Sequence, residues 1–179
     1  MFFRYEIKSH KLCVHIRRGD FLGHQQMESR AEFIEASLFF LNTYLKQNIS
    51  LIFIGDDMEF AKSLDLNQIE LNSIHYSNLK NRAEDMYFGI QICDTLLITA
   101  SGSTFAWWIG YLLPESSQVF YNSQISKNRN YQKDYYDFDL FLPKWNMLEL
   151  NNVSKTVKID NRWFYERFSW PRNGVPSLF

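Results

Sequence analysis

The alternation of short apolar runs with longer amphipathic segments is the feature that most constrains the fold of this chain. Apolar runs typical of strands occur at residues 12–16, 51–54, 95–99 and 119–121. Apolar side chains at helical spacing fill the intervals, at residues 30–47, 58–64, 82–94 and 105–113. Parallel strands need long crossover connections, and a strand–helix repeat supplies them. We therefore predict an α/β fold over residues 1–121, a Rossmann-like and mostly parallel sheet with helices on both faces, with a further short strand at 74–76.

Residues 122–179 lack this pattern. They are rich in Tyr, Phe, Trp, Asn and Asp, and the segments 135–139 and 142–145 are the pieces that most resemble ordered structure. A chain of 179 residues has the size of one domain. We predict that residues 122–179 form an aromatic-rich tail that wraps the same domain and does not form a second one.

Composition excludes several kinds of partner. The net charge is -1, from 19 basic and 20 acidic residues, and no basic block suggests a nucleic-acid surface. No apolar window is long enough to cross a membrane and no signal peptide is recognisable, so no membrane contact is expected from the chain as written. Cys13 and Cys93 each lie in an apolar run, which is typical of buried free thiols, and a disulfide between them is the alternative.

The first strand ends in the sequence His-Ile-Arg-Arg-Gly-Asp at residues 15–20. Its alternation predicts a half-buried strand that carries His15 and Arg17 on the polar side. The carboxyl edge of a parallel sheet is where such folds bind ligands, and the arginine fork suits phosphate oxygens. We predict a diphosphate-binding site here. The alternatives are a surface ion pair and an Arg-Gly-Asp adhesion signal at residues 18–20.

Two further strand ends carry candidate residues. Asp56 and Asp57 follow the second strand, where they cap the next helix or, alternatively, bind a divalent metal. Residues 101–104, the turn Ser101-Gly102-Ser103-Thr104, lead into a helix whose free N–H groups could bind phosphate. A plain helix cap by the hydroxyls of this turn is the alternative. Glycine motifs of dinucleotide oxidoreductases and P-loop enzymes are absent from the sequence.

Three stretches together resemble α-1,2-fucosyltransferases, glycosyltransferase family 11. They are residues 15–21, residues 53–57, and the pair 85–94 and 99–108, in the order and spacing of that family. The resemblance implies the Rossmann-like donor domain of a GT-B-like transferase that uses GDP-fucose, needs neither metal nor cofactor and inverts the sugar configuration. The implied acceptor is a glycan, with transfer to a galactose hydroxyl in α-1,2 linkage.

The resemblance also assigns roles to residues. Arg17 would hold the β-phosphate with Arg18 beside it, while His15 and Asp85 would contact the guanine. Residues 101–104 would receive the diphosphate, and the aspartates at 56 and 57 would support the nucleoside side or the sheet edge. Arg17 and Asp20 are the catalytic candidates, because Asp20 is the nearest carboxylate to serve as base; it could equally brace Arg18. We expect His15, Arg17 and Ser103 to share one cavity.

The sequence also departs from the family pattern. Family members carry a membrane anchor, a stem and an acceptor-side segment before the first motif. Here the strand that carries this motif already begins at residue 11. We therefore expect the chain to correspond to the C-terminal GDP-fucose-binding part of a protein of the Golgi membrane. A non-catalytic GDP-sugar or glycan-binding module is the alternative function.

Overall fold

The structure, a computed structural model, describes residues 9–77, 81–128, 140–160 and 162. Its strands are β1 His10–Ile16, β2 Ile49–Gly55, β3 Ser73–Tyr76, β4 Thr95–Ile98, β5 Gln118–Asn122, β6 Asn146–Asn151 and β7 Thr156–Ile159. Its helices are α1 Ala31–Leu45, α2 Met58–Lys62, α3 Arg82–Ile92 and α4 Thr104–Leu112, with a 3₁₀ turn at Gly19–Phe21. Every strand and helix predicted in residues 11–121 is present, with ends shifted by a few residues.

The strands form one sheet in the order β3-β2-β1-β4-β5-β6-β7. All neighbouring pairs from β3 to β6 are parallel, and β7 pairs with β6 in the antiparallel sense. The order reverses between β1 and β4, as in doubly wound α/β folds, so a crevice is expected at the carboxyl ends of these two strands. The predicted α/β, Rossmann-like and mostly parallel fold is confirmed.

Helices pack on both faces of the sheet. One apolar core joins α1 and α2 to side chains such as Val14, Phe53 and Leu97, and the other joins α3 and α4 to Ile54, Ile98 and their neighbours. The two sets of strand residues alternate along each strand because successive side chains point to opposite faces. Each face of the sheet is thus covered by the crossover helices.

The first strand differs from its prediction. β1 is buried on both faces, and the side chains of Cys13 and His15 are 0% and 1% exposed. The reason is its central position between β2 and β4, which places helices over both of its faces. The prediction of a half-buried strand was therefore wrong. The alternation of apolar and polar residues indicates which face of the strand is more polar, but it does not show that α3 and α4 cover that face as well.

Residues 140–160 contribute two strands that the sequence analysis missed. β6 and β7 extend the sheet past β5, and Met147 and Leu148 of β6 are buried in the two cores. β6 reads Asn-Met-Leu-Glu-Leu-Asn, and its three apolar residues form neither a continuous run nor a strict alternation, which hid the strand. Residues 142–145 form a turn that buries Trp145, whereas residues 135–139 lie outside the described part of the chain. The wrapping tail at 122–179 stays a prediction.

The two cysteines are joined. Cys13 of β1 and Cys93, the residue that ends α3, form a disulfide with their Cα atoms 5.6 Å apart. The expectation of free thiols was therefore wrong. Apolar surroundings are typical of buried thiols and of buried disulfides alike, so they could not distinguish the two. Within the described residues, no helix combines the length and the apolar character that a membrane crossing needs.

Candidate functional site

A cavity of about 180 Å³ opens at the carboxyl ends of β1 and β2, beside the first turns of α3 and α4. Its walls are His15, Ile16, Arg17, Gly55, Asp56, Asn81, Arg82, Asp85 and Phe105. Parallel strands bring residues from distant parts of the chain to this edge, because their carboxyl ends coincide. The cavity therefore collects polar groups from two strand ends and from the N-terminus of a helix.

His15 is a buried and neutral wall of this cavity. Burial, helped by the nearby charge of Arg17, lowers the pKa of His15 to about 3. Its Nδ1 atom is buried without a hydrogen-bond partner, and its ring centroid lies 5.8 Å from that of Phe105. An unpartnered buried polar atom costs free energy, so such an atom beside a cavity is a position for a ligand hydrogen bond. His15 can serve as donor or acceptor there, depending on its tautomer.

Arg17 is held by two carboxylates. Its Nη2 atom lies 2.7 Å from Asp20 and its Nη1 atom lies 3.4 Å from Asp56. The side chain is 13% exposed and its Nε atom is buried without a partner. The hydrogen bond from Arg17 lowers the pKa of Asp20, and Arg82 adds to that effect through its charge. Arg17 thus keeps one donor for a ligand, and Asp20 pairs with Arg17 instead of bracing Arg18.

The start of α3 forms the opposite wall. Asn81 caps the helix by accepting the N–H of Glu84 at 2.9 Å, and Arg82 is exposed without an ion-pair partner among the described residues. Asp85 is 8% exposed and accepts a hydrogen bond from the Ser77 hydroxyl. Burial raises the pKa of the Asp85 carboxyl. This wall therefore combines an exposed positive charge with a buried carboxylate.

Gly55 lets β1 and β2 approach each other at the floor of the cavity. Its φ is +129°, and a Cβ atom there would lie 1.9 Å from the carbonyl oxygen of Ile16. The following residue, Asp56, donates its N–H to the same carbonyl at 3.2 Å and accepts the N–H of Arg18 at 2.9 Å. The glycine therefore fixes the position of the Asp56 carboxylate relative to Arg17.

Arg18 and Asp57 turn away from the cavity. Arg18 donates to Asp57 at 3.2 Å and to the carbonyl of Ser29 at 2.9 Å, and its guanidinium lies 4.0 Å from the ring centroid of Phe60. Asp57 also caps α2 through the N–H of Phe60. These contacts fit the surface ion-pair interpretation for Arg18, and they hold in place the arginine that an Arg-Gly-Asp adhesion signal would need free.

The turn at residues 101–104 lies beside the cavity without lining it. Ser101 donates to the carbonyl of Asn122 at 2.7 Å, and Ser103 caps α4 through the N–H of Ala106. A Cβ atom on Gly102 would lie 3.3 Å from the side chain of Gln26, and Thr104 is exposed. The expected shared cavity is thus found for His15 and Arg17 but not for Ser103.

The reason is the loop of residues 22–29, which covers this turn. Met27 donates its N–H to the carbonyl of Ile125 at 2.8 Å, and Lys127 donates to that of Gln25 at 2.9 Å. Ser29 closes the crevice between β1 and β4, where its hydroxyl lies 2.5 Å from that of Thr99. The polar composition of residues 22–29 is typical of a loop, but its partners at residues 125–127 could not be read from the sequence.

Three walls of the cavity were missed by the sequence analysis. Asn81 and Arg82 looked like ordinary residues at a helix start, and Phe105 looked like the first core residue of α4. Their position at the cap or in the first turn of a helix that follows a strand was the available signal, since such positions face the carboxyl edge of a parallel sheet.

A second, larger groove has different chemistry. It runs along the outer face of α1 with a volume of about 670 Å³, and its walls include Phe39, Phe40, Tyr44, Ile69 and Val157. No residue predicted to bind a ligand lines it. Within the described ranges, no group of three or more His, Cys, Asp or Glu side chains is placed to hold a metal ion. The cavity at the strand ends is therefore the candidate site.

The fold and this cavity define a doubly wound α/β domain with a ligand site at the carboxyl edge of its sheet. Residues 4–149 match the model of glycosyl transferase family 11. The chain belongs to that family.

Relatives with curated names agree with this assignment. A putative glycosyltransferase of Caenorhabditis elegans is 29% identical over 162 residues, which is 83% of this chain and 44% of that protein. A galactoside 2-alpha-L-fucosyltransferase of the same organism is 29% identical over 151 residues, or 82% of this chain and 42% of that protein. A putative galactoside 2-alpha-L-fucosyltransferase is 32% identical over 122 residues, or 64% of this chain and 33% of that protein.

The chain spans less than half the length of the curated relatives it matches. No solved structure matches it significantly.

Proposed function

We propose that this chain forms the donor-binding part of a fucosyltransferase that transfers L-fucose from GDP-fucose to a galactose hydroxyl of a glycan. The linkage would be α-1,2, formed with inversion and without a metal. The observation that carries the proposal is that His15 and Arg17, which line one cavity, each have a buried polar atom without a partner, Nδ1 of His15 and Nε of Arg17. Membership of family 11 and the names of the relatives support the transferase class.

The cavity is large enough to enclose only a part of the donor. A volume of about 180 Å³ is below the roughly 300 Å³ of sites that enclose a whole small molecule. We assign the guanine to the side where His15, Asp85 and Phe105 meet. A carboxylate can accept two neighbouring N–H groups, which guanine has on its Watson–Crick edge and adenine lacks. The ring of Phe105 would give the base a face to stack on.

The diphosphate would lie toward Arg17 and Arg82. Arg17 offers its Nε atom, and Arg82 lines the cavity with an exposed side chain. The N-terminus of α4, at residues 101–104, stays a proposed contact through its backbone N–H groups, since Phe105 already reaches the cavity wall. Arg18 would support this side indirectly, by holding the turn before Asp57.

The reaction is a single displacement in this proposal. The acceptor hydroxyl forms a bond to the anomeric carbon, the bond from that carbon to the β-phosphate oxygen breaks, and GDP departs. Arg17 would stabilise the charge that develops on the departing diphosphate. Asp20 is the proposed acceptor of the hydroxyl proton; it is 59% exposed at the edge of the site, and its hydrogen bond to Arg17 keeps it ionised.

The protein is proposed to work in the lumen of the secretory pathway, in the Golgi membrane as the full-length protein. The Cys13–Cys93 disulfide supports this location, because structural disulfides form in oxidising compartments.

Titration of the chain with GDP and ADP, followed by incubation with labelled GDP-fucose and a galactoside, tests the proposal. We expect GDP to bind at least about tenfold more tightly than ADP, and labelled fucose to appear in the acceptor. Equal affinities for the two nucleotides, or no binding, would contradict the site assignment.

A non-catalytic GDP-sugar or glycan-binding module is the second candidate. The observation that favours it is that Asp20, the proposed base, is already paired with Arg17 at 2.7 Å. Preference for GDP over ADP without transfer of label would support this alternative over the enzyme.

A further inference from the structure

The tip of the β6–β7 hairpin carries an acceptor sequence for N-linked glycans. Residues 152–154 read Asn-Val-Ser, which fits the rule of asparagine, any residue except proline, and serine or threonine. We propose that Asn152 is glycosylated. The modification is independent of the transfer activity proposed above.

The structure presents this tripeptide as an enzyme would need it. Asn152, Val153 and Ser154 are exposed in the turn between β6 and β7, with Val153 95% exposed. The side chain of Asn151 forms the turn by accepting the N–H groups of Val153 and Ser154, at 2.9 and 3.1 Å. An exposed turn is the kind of segment that enters the active site of a modifying enzyme without unfolding the domain.

A second sequence of the same type provides an internal comparison. Residues 48–50 read Asn-Ile-Ser, and Asn48 is exposed, but Ile49 and Ser50 lie in β2 with exposures of 1% and 4%. The Ser50 hydroxyl is within hydrogen-bond distance of Ser9, Asn72 and Ser73, at 2.6 to 3.2 Å. This serine is unavailable once β2 has formed, so we expect Asn48 to remain unmodified.

The disulfide is the independent observation that brings the chain to the right compartment. N-linked glycans are added in the oxidising lumen where secreted proteins fold, and Cys13–Cys93 is a bridge of the kind formed there. The donor is an oligosaccharide joined through a diphosphate to a membrane lipid, and a separate transferase acts on it. The Asn152 amide nitrogen bonds to the first sugar carbon and loses one proton, while the carbon–oxygen bond to the lipid diphosphate breaks and the lipid diphosphate leaves.

The glycan would leave the candidate site open. β6 lies three strand positions from β1, which at sheet spacing is about 14 Å. It would stand beside β7, the outermost strand of the sheet that the described residues form, where another chain could otherwise pair. Shielding of this edge is the expected benefit of the modification.

The test is expression of the full chain behind a cleavable secretion signal in cultured animal cells, with electrophoresis before and after peptide N-glycosidase. We expect one glycosidase-sensitive step in mobility, and conversion of Asn152 to aspartate in the treated peptide. The step should disappear in Asn152→Gln and in Ser154→Ala, which reaches the same result without touching the asparagine. It should remain in Asn48→Gln, the matched control.

Each remaining outcome contradicts the proposal. A chain whose signal has been removed but which shows no glycosidase-sensitive step would overturn it. So would a step that survives both Asn152→Gln and Ser154→Ala and is lost in Asn48→Gln. GDP binding by the deglycosylated protein reports separately on the proposed function, so that failure of one proposal does not decide the other.

Discussion

The Asp20 carboxylate lies 2.7 Å from Nη2 of Arg17, so the proposed base and the proposed phosphate ligand are paired with each other before any donor binds. A second carboxylate, Asp56, lies 3.4 Å from Nη1 of the same arginine. A bound diphosphate must therefore compete with two carboxylates for one guanidinium. Arg82 brings a second positive charge to the cavity, and the charge balance there depends on it.

Removal of the Asp20 charge should strengthen donor binding. In Asp20→Asn the Arg17 guanidinium loses its closest competitor, and we expect GDP affinity to rise by up to about fivefold. Fucose transfer should fall in the same variant if Asp20 accepts the hydroxyl proton. Calorimetric titration and a transfer assay measure the two effects. Weaker GDP binding in Asp20→Asn would mean that Asp20 positions Arg17 for the ligand instead of competing with it.

Replacement by lysine should mainly reduce GDP affinity at Arg17 and mainly reduce the stability of the fold at Arg18. Arg17→Lys keeps the charge but loses the planar fork, so GDP affinity should fall about ten- to a hundredfold. Arg18→Lys should lose its bonds to Asp57 and Ser29 and its contact with Phe60, lowering the free energy of unfolding by about 1 to 3 kcal/mol. Its GDP affinity should change by less than about twofold.

Denaturant melts and GDP titrations on both arginine variants separate these effects. A loss of GDP affinity in Arg18→Lys with unchanged stability would move the phosphate contact to that residue. Because the Arg17 side chain is only 13% exposed and already paired, some loss of stability is expected in Arg17→Lys as well.

Acid should destabilise the fold through His15. Its pKa is about 3 in the native state and about 6.5 when unfolded, so between these values the unfolded chain binds the extra proton. Stability is therefore fully present above about pH 6.5 and decreases as the pH falls below it. From pH 7 to pH 5 the loss from this residue should be about 2 kcal/mol.

Comparison with His15→Gln isolates this contribution to the pH dependence. Unfolding of the variant should be less sensitive to pH over that interval than unfolding of the wild type. Parallel pH curves for wild type and His15→Gln would show that His15 is protonated in the native state.

Gly55 should tolerate no side chain. Gly55→Ala combines a positive φ with a Cβ atom 1.9 Å from the Ile16 carbonyl oxygen, so the free energy of unfolding should fall by at least about 3 kcal/mol. Gly23→Ala is the matched control, because Gly23 has a φ of +87° but no atom within 4 Å of the added carbon. It should lose only about 1 kcal/mol. Similar losses in both variants, measured by urea unfolding, would contradict the close approach of β1 and β2.

The sequence predicted the strands β1 to β5 and some of the residues that line the cavity, for physical reasons that can be named. Strands and helices of residues 11–121 follow from the change of apolar period, and the strand ends at Arg17 and Asp56 follow from where each apolar run stops. Which groups stay free could not be predicted. Arg17 and Arg18 look equivalent in the sequence, yet Phe60 and Ser29 fix one of them, and these partners come from elements whose packing is tertiary.

The same limit explains the turn at residues 101–104. Its composition fits a phosphate-binding turn and a helix cap equally well, and the choice depends on Gln26, which reaches Gly102 from the loop between β1 and α1. The disulfide was missed for a related reason, since Cys13 and Cys93 are 80 residues apart and only the pairing of β1 with β4 brings them together.

The central place of β1 has a consequence for how the molecule is made. β1 is the first of the described strands, but its two neighbours in the sheet are β2 and β4, so its pairing with β4 joins residues about 83 positions apart, as in Leu12 and Thr95. During synthesis the strand that ends at Ile16 must wait, apolar and unpaired on one side, until β4 has left the ribosome. Folding should therefore be slow relative to helical proteins of this size, and the nascent chain should depend on chaperones over that interval.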